Sequence, residues 1–178
     1  MSKNALVIGL AMFAGAAVSA GAQTPARGQA AAMPKDACAL LTAAEVQAMA
    51  GVAVKDGTPG SVASLGALTC TYTWGPGNNA ATGLYQLSVL ASDASKAFPN
   101  MSPALIKQAM LARVKLGGIA GPVPDIGDVA TFESDDPIRI NAKALSKGVL
   151  LTVELEGSNA RLQRNQIILL LKTAVGRL

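Results

Sequence analysis

The chain has 178 residues, 51% of them hydrophobic, with 15 basic and 11 acidic side chains and no histidine. That length suits one domain, and the dispersed charge, with few aromatics beside the basic residues, argues against a nucleic-acid-binding surface. Lacking histidine, the chain is without the commonest general base, the Ser-His-Asp and Cys-His schemes, and most transition-metal sites.

The N-terminus reads as a secretory signal peptide over residues 1–22. Lys3 supplies a basic start, residues 5–18 form an almost unbroken apolar run, and small residues precede Gln23. Cleavage is expected after Ala22, with Ala20 as the alternative. An uncleaved anchor is the competing reading, but the run is short for a span of roughly 20 residues. Removing Lys3 takes the 15 basic residues to 14 against 11 acidic ones, a net charge of +3. The mature chain is expected to be periplasmic or secreted, with no stable membrane insertion. Residues 23–35, rich in Ala, Gly, Gln and Pro, read as a flexible leader, and a single domain is expected over residues 36–178.

"LLTAAEVQAMAG" is the best helix signal. Thr42 and Glu45 make a capping box, Leu41 and Val46 a hydrophobic staple, and Gly51 closes the helix. Residues 52–55 fit a short strand and "DGTPGS" a turn. "ALTCTYTW", residues 67–74, alternates strictly: Leu68, Cys70, Tyr72 and Trp74 share one face, with threonines between them. Residues 83–91 alternate again, giving an antiparallel hairpin with a long loop. The chain's two cysteines are Cys38 and Cys70. In an exported chain a pair persists as a disulfide, so a Cys38–Cys70 bridge is expected, closing a loop of about 30 residues. Two free buried thiols are the competing reading.

Ser102 and Pro103 start a second helix as N-cap and N1. Leu105, Ile106, Ala109, Met110 and Leu116 give its apolar face, and Gly117 and Gly118 stop it. "GPVPDIGD" reads as an irregular linker. Strands follow at about 128–133, 138–145 and 149–155. In the last, Val149, Leu151, Val153 and Leu155 face one way. A last helix, about residues 159–175, carries an apolar stripe from Ile167 to Leu178, with Lys172 and Arg177 at its C-terminal end, where the dipole favours cations. Strands joined by short turns mean an antiparallel sheet. The expected fold is therefore α+β, with about five to six strands flanked by three helices.

The "DACALLTAAEVQAMAG" opening, the "CTYTW" strand and "VPDIGDVATF" together resemble a class of small exported bacterial proteins. It includes actinobacterial lipoproteins of unknown function and looks related to the extracellular sensor domains of receptor-type Ser/Thr kinases. The positions that carry the likeness are Cys38 with Leu40, Leu41 and Thr42; Cys70 with Tyr72; and Ile126, Gly127, Asp128 and Ala130. Asp125 stands where that class usually has glycine, and no lipid-attachment cysteine is present. The resemblance implies a helix-flanked antiparallel sheet and a role in sensing or binding a ligand. It implies no reaction.

Asp125, Asp128, Glu133, Asp135 and Asp136 form an acidic cluster. It raises calcium binding or a carboxylate hydrolase, but EF-hand spacing is absent and Asp-Asp-Pro is ordinary turn chemistry. No nucleophile elbow or dinucleotide fingerprint is found, so no catalytic residue, cofactor or metal is expected. The aromatics are the better lead. Tyr72, Trp74 and Tyr85 concentrate in one hairpin, and Trp74, at the strand's end, either packs in the core or lines a cleft mouth. The preferred reading is a non-catalytic envelope module that binds or senses a small molecule. An interaction or inhibitor protein of the cell envelope is the second, and a carboxylate hydrolase the third.

Overall fold

Strict alternation in the central strands gives one sheet a continuous apolar face. The computed structural model describes residues 32–114 and 119–178, and there the chain is α+β with seven antiparallel strands, four α-helices and one disulfide. The strands are β1 (Thr58–Val62), β2 (Ala67–Trp74), β3 (Tyr85–Asp93), β4 (Ile119–Val123), β5 (Val129–Asp136), β6 (Arg139–Ser146) and β7 (Val149–Glu156). Their order across the sheet is β1-β2-β3-β7-β6-β5-β4. Two meanders thus meet where β3 pairs antiparallel with β7. The helices are α1 (Ala43–Ala50), α2 (Ala94–Ala97), α3 (Pro103–Arg113) and α4 (Arg164–Val175), and short 3-10 turns precede α1 and α4.

The strand count exceeds the expected five to six because both edge strands hide in turn-like sequence. "TPGSV" is β1 and not a turn; "IAGPV" is β4 and not part of a linker. Pro59 and Pro122 lack an N–H to give a second neighbour, and an edge strand needs none. Residues 52–55 are not a strand; Lys55 donates one backbone bond to the Thr73 carbonyl. The last helical segment is a 3-10 turn (Ala160–Gln163) running into α4, rather than one helix from residue 159. The signal peptide, residues 23–31 of the leader, and Leu116 to Gly118 lie outside the described residues.

One sheet face is packed under α1 and α4. Cys70, Tyr72, Leu87, Val89, Ala142, Leu151, Val153 and Leu155 point into this core, with Val46, Ile167 and Leu171 above them. The alternation Val149, Leu151, Val153, Leu155 is inward as expected. The opposite face is polar over most of its area, and α3 covers one end of it through Ile106 and Met110, which meet Val129 and Leu145. Only those two residues of α3 are buried. Leu105 and Ala109, expected on its apolar face, are exposed. A helix laid on a largely polar surface buries a narrow i, i+4 stripe, so the wider stripe is not used.

The capping box forms as expected, and both residues of the expected staple are buried in the same core. Thr42 accepts from the Glu45 N–H while Glu45 accepts from the Thr42 N–H, Leu41 and Val46 are fully buried, and Gly51 ends α1 with φ of 71°. Glu45 has a second partner. The Arg177 guanidinium, two residues past α4, donates to both of its carboxylate oxygens and to the Leu40 carbonyl. The chain's C-terminal end thereby locks the start of α1.

The Arg177 hydrogen bonds hold the Glu45 carboxyl down at about 2, against its ordinary 4.5. A carboxylate depressed in the folded state adds stability above its unfolded pKa and loses it as pH falls toward the folded one. This contribution is therefore complete above about pH 5 and disappears between about pH 4.5 and pH 2. Glu45→Gln should cost about 1 kcal/mol at pH 7, the scale of a partly exposed pair. It should also flatten the fall of melting temperature between pH 5 and pH 2. Thermal melts of both proteins across that range check this; parallel curves would mean that the pair contributes nothing.

Candidate functional site

The β2–β3 hairpin brings the three aromatics together and then separates them. Trp74 and Tyr85 are the last directly opposed pair of its ladder, so both project onto the helix-covered face. Their rings stack with centroids 5.5 Å apart and planes 5° from parallel. The Tyr85 hydroxyl donates to the Ser158 carbonyl at 3.0 Å, and the Ser158 hydroxyl donates to the Ala80 carbonyl at 3.1 Å. These bonds tie the long hairpin loop to the segment leaving β7. Gly157 makes the close approach feasible: a Cβ there would stand 2.2 Å from the Tyr85 ring.

A cavity of about 300 Å³ opens beside this stack. The hairpin end supplies Trp74, Gly75, Pro76 and Tyr85, β7 supplies Leu155, the C-terminal end of α1 and the residue after its cap supply Met49, Ala50 and Val52, and the approach to α4 supplies Gln163. No lining side chain is charged, and Gln163 carries the amide that can both donate and accept. Such a wall holds a neutral, largely apolar body with one oriented polar group. Trp74 is 8% exposed, so it is both a packed residue and a wall of the cleft.

Tyr72 lies elsewhere. It is fully buried under the turn before α1, beside the disulfide, and its hydroxyl donates to the Leu41 carbonyl. Burial pushes its phenol pKa up, with the Asp36 and Glu45 carboxylates adding to the effect. It does not line the cleft. Cys38 and Cys70 are bonded, with Cα atoms 4.9 Å apart.

Three members of the acidic cluster have separate surroundings. Asp136 accepts from the Ile138 N–H and shapes the β5–β6 turn. Glu133 lines a cavity on the polar sheet face, and Asp125 another beside α4. Among the described residues no three His, Cys, Asp or Glu side chains gather as a metal set. Sequence reasoning did not reach Met49, Val52, Leu155 or Gln163. Val52, apolar directly after a helix-closing glycine, was the one available signal in the sequence.

No protein-family model matches the chain, and neither a curated protein nor a solved structure does.

Proposed function

We propose that this chain is an exported, non-catalytic module of the cell envelope that binds a small neutral ligand in the cleft beside Trp74 and Tyr85. The observation that carries the reading is the cleft itself: an uncharged wall of about 300 Å³ built on a stacked aromatic pair. That volume is at the lower end of ligand sites. The disulfide, and the absence among the described residues of a helix long and apolar enough to cross a membrane, are consistent with export. The resemblance to exported lipoproteins and kinase sensor domains points the same way, and on that reading the ligand is sensed rather than transformed.

The alternative, an interaction protein, has one observation of its own. Leu162 and Leu169, seven residues apart, are 76% and 64% exposed on the outer side of the last helical segment. Two leucines make a small patch against the several hundred Å² that marks an interface, so the cleft reading is preferred.

Native mass spectrometry of protein purified from its host should show a retained small molecule, and adding that molecule back should shift the fluorescence of Trp74, the only tryptophan. Val52→Asp, which puts a charge at the exposed mouth, should abolish the response while changing stability by no more than about 0.5 kcal/mol, as surface substitutions do. A ligand that binds Val52→Asp unchanged, or leaves Trp74 fluorescence unmoved, would overturn this assignment of the site.

A further inference from the structure

The polar face of the sheet carries a second cavity, and its chemistry differs from the first. It lies between α3 and the strands, with a volume of about 170 Å³. Phe98, Met110, Val114 and Leu150 give it an apolar wall. In the same wall three charges meet from three elements. Glu133 on β5 and Lys143 on β6 sit on the same face, two pairing steps apart in the β5–β6 register, and Lys143 donates to Glu133 Oε1. Arg113, in the last turn of α3, holds its Nε 3.5 Å from Glu133 Oε2.

The group carries two positive charges and one negative. Glu133 is 14% exposed and engaged at both oxygens, which leaves it little capacity for a cationic ligand. The cations are not used up. An ammonium has three donors and a guanidinium five; Lys143 spends one on Glu133, and Arg113 meets Glu133 as an ion pair without a hydrogen bond. The remaining donors belong to side chains in the wall of a largely apolar cavity, so the complementary ligand has an anionic head and a short apolar body. The size of that body follows from the volume. An apolar cavity of about 150 Å³ accepts benzene, so this one has room for a single ring or a branched chain of five or six carbons.

We propose that this second cavity is a binding site for a small apolar monocarboxylate, of benzoate or isovalerate size, whose carboxylate is taken by Lys143 and Arg113 and whose body lies against Phe98, Met110 and Leu150. The site is on the opposite sheet face from Trp74 and stands independently of the function proposed for that cleft.

The test is a titration of isotopically labelled, disulfide-intact protein with sodium benzoate, followed by amide NMR shifts. Saturable one-to-one binding is expected, with a dissociation constant of about 1 mM or tighter for a nine-atom ligand of ordinary efficiency. The shifts should centre on Thr131, Glu133, Lys143 and Leu150 and leave the Trp74 indole unmoved. Isovalerate should compete. Acetate, which lacks the apolar body, and benzylamine, which reverses the charge, should each bind at least tenfold more weakly. Arg113→Gln changes an exposed side chain outside the core and should keep the fold; it should weaken benzoate at least tenfold, as should Lys143→Gln. Non-saturable shifts, shifts centred on Trp74, equal binding of benzylamine, or undiminished binding by a folded Arg113→Gln would each overturn the proposal.

Discussion

Replacing both Cys38 and Cys70 by alanine should lower stability by about 3–4 kcal/mol and the melting temperature by about 10 °C. The bridge spans 32 residues of sequence. In the chain-entropy account, losing a closure of that length costs the larger part of the effect, because the unlinked denatured chain gains freedom. The native state adds to it. Cys70 is fully buried on β2, and Cys38 lies in the 3-10 turn (Ala37–Ala39) that packs on β2 and β3. With the bond gone, that turn is held by burial of Ala37, Leu40 and Leu41 and by the bond from the Tyr72 hydroxyl to the Leu41 carbonyl. Alanine is the right replacement because serine would place a hydroxyl in the core without an assured partner. Urea unfolding of wild type and double variant gives the comparison. A loss under about 1 kcal/mol would mean that the denatured chain keeps the two segments together without the bond. The variant should also weaken any ligand response at Trp74, because α1, which supplies Met49 and Ala50 to the cleft, is positioned from this turn.

The elements that were legible in the sequence are those whose cause is local. Thr42, Glu45, Leu41 and Val46 specify a helix start among themselves within six residues, and the structure forms the capping box and buries both apolar residues in one core. The alternations in β2 and β7 are likewise self-contained, since a half-buried strand needs nothing more than a period of two. Residues 58–62 and 119–123 carry no such pattern. They become strands because β2 and β5 offer unpaired backbone groups, and Pro59 and Pro122 can occupy an outer edge without breaking a ladder. What makes them strands lies in their neighbours, not in their own residues.

The same division runs through the cleft. Tyr72 and Trp74 share a face by parity, which the sequence shows. That Tyr85 stands opposite Trp74 depends on the hairpin register, and a ten-residue loop with its own 3-10 turn does not fix that register. Val52 and Gln163 are separated by most of the domain and meet only after both meanders and α4 have packed. On the other face, Glu133 stood out as part of an acidic run, and its meaning changes once Lys143 and Arg113 are seen beside it. Their pairing follows from register and from where α3 lands, neither of which is written in the local charge pattern.

Trp74→Ala should cost about 3 kcal/mol, at the lower end of the range for deleting a large buried aromatic. Two terms make up the loss. The indole is almost fully covered, so its burial is lost, and its stack on Tyr85 contributes about 0.5–1.5 kcal/mol beyond area. One term holds the cost down. The ring already borders an open cleft, so the space it vacates joins that cleft and water can enter, instead of leaving a sealed void in the core. Because Trp74 is the only tryptophan, the unfolding curve must be followed by circular dichroism. A cost near 5 kcal/mol would mean that the ring is sealed on all sides and the cleft is no site; a cost under about 1 kcal/mol would mean that the stack with Tyr85 does not persist in solution. Trp74→Phe separates the two roles. A smaller ring can keep a stack on Tyr85 and should restore most of the stability. It also widens the cleft on the side where a planar ligand would lie, so its binding should stay weaker than that of wild type. Recovery of stability without recovery of binding is the outcome expected of a residue that is packed and at the same time forms the wall of a site.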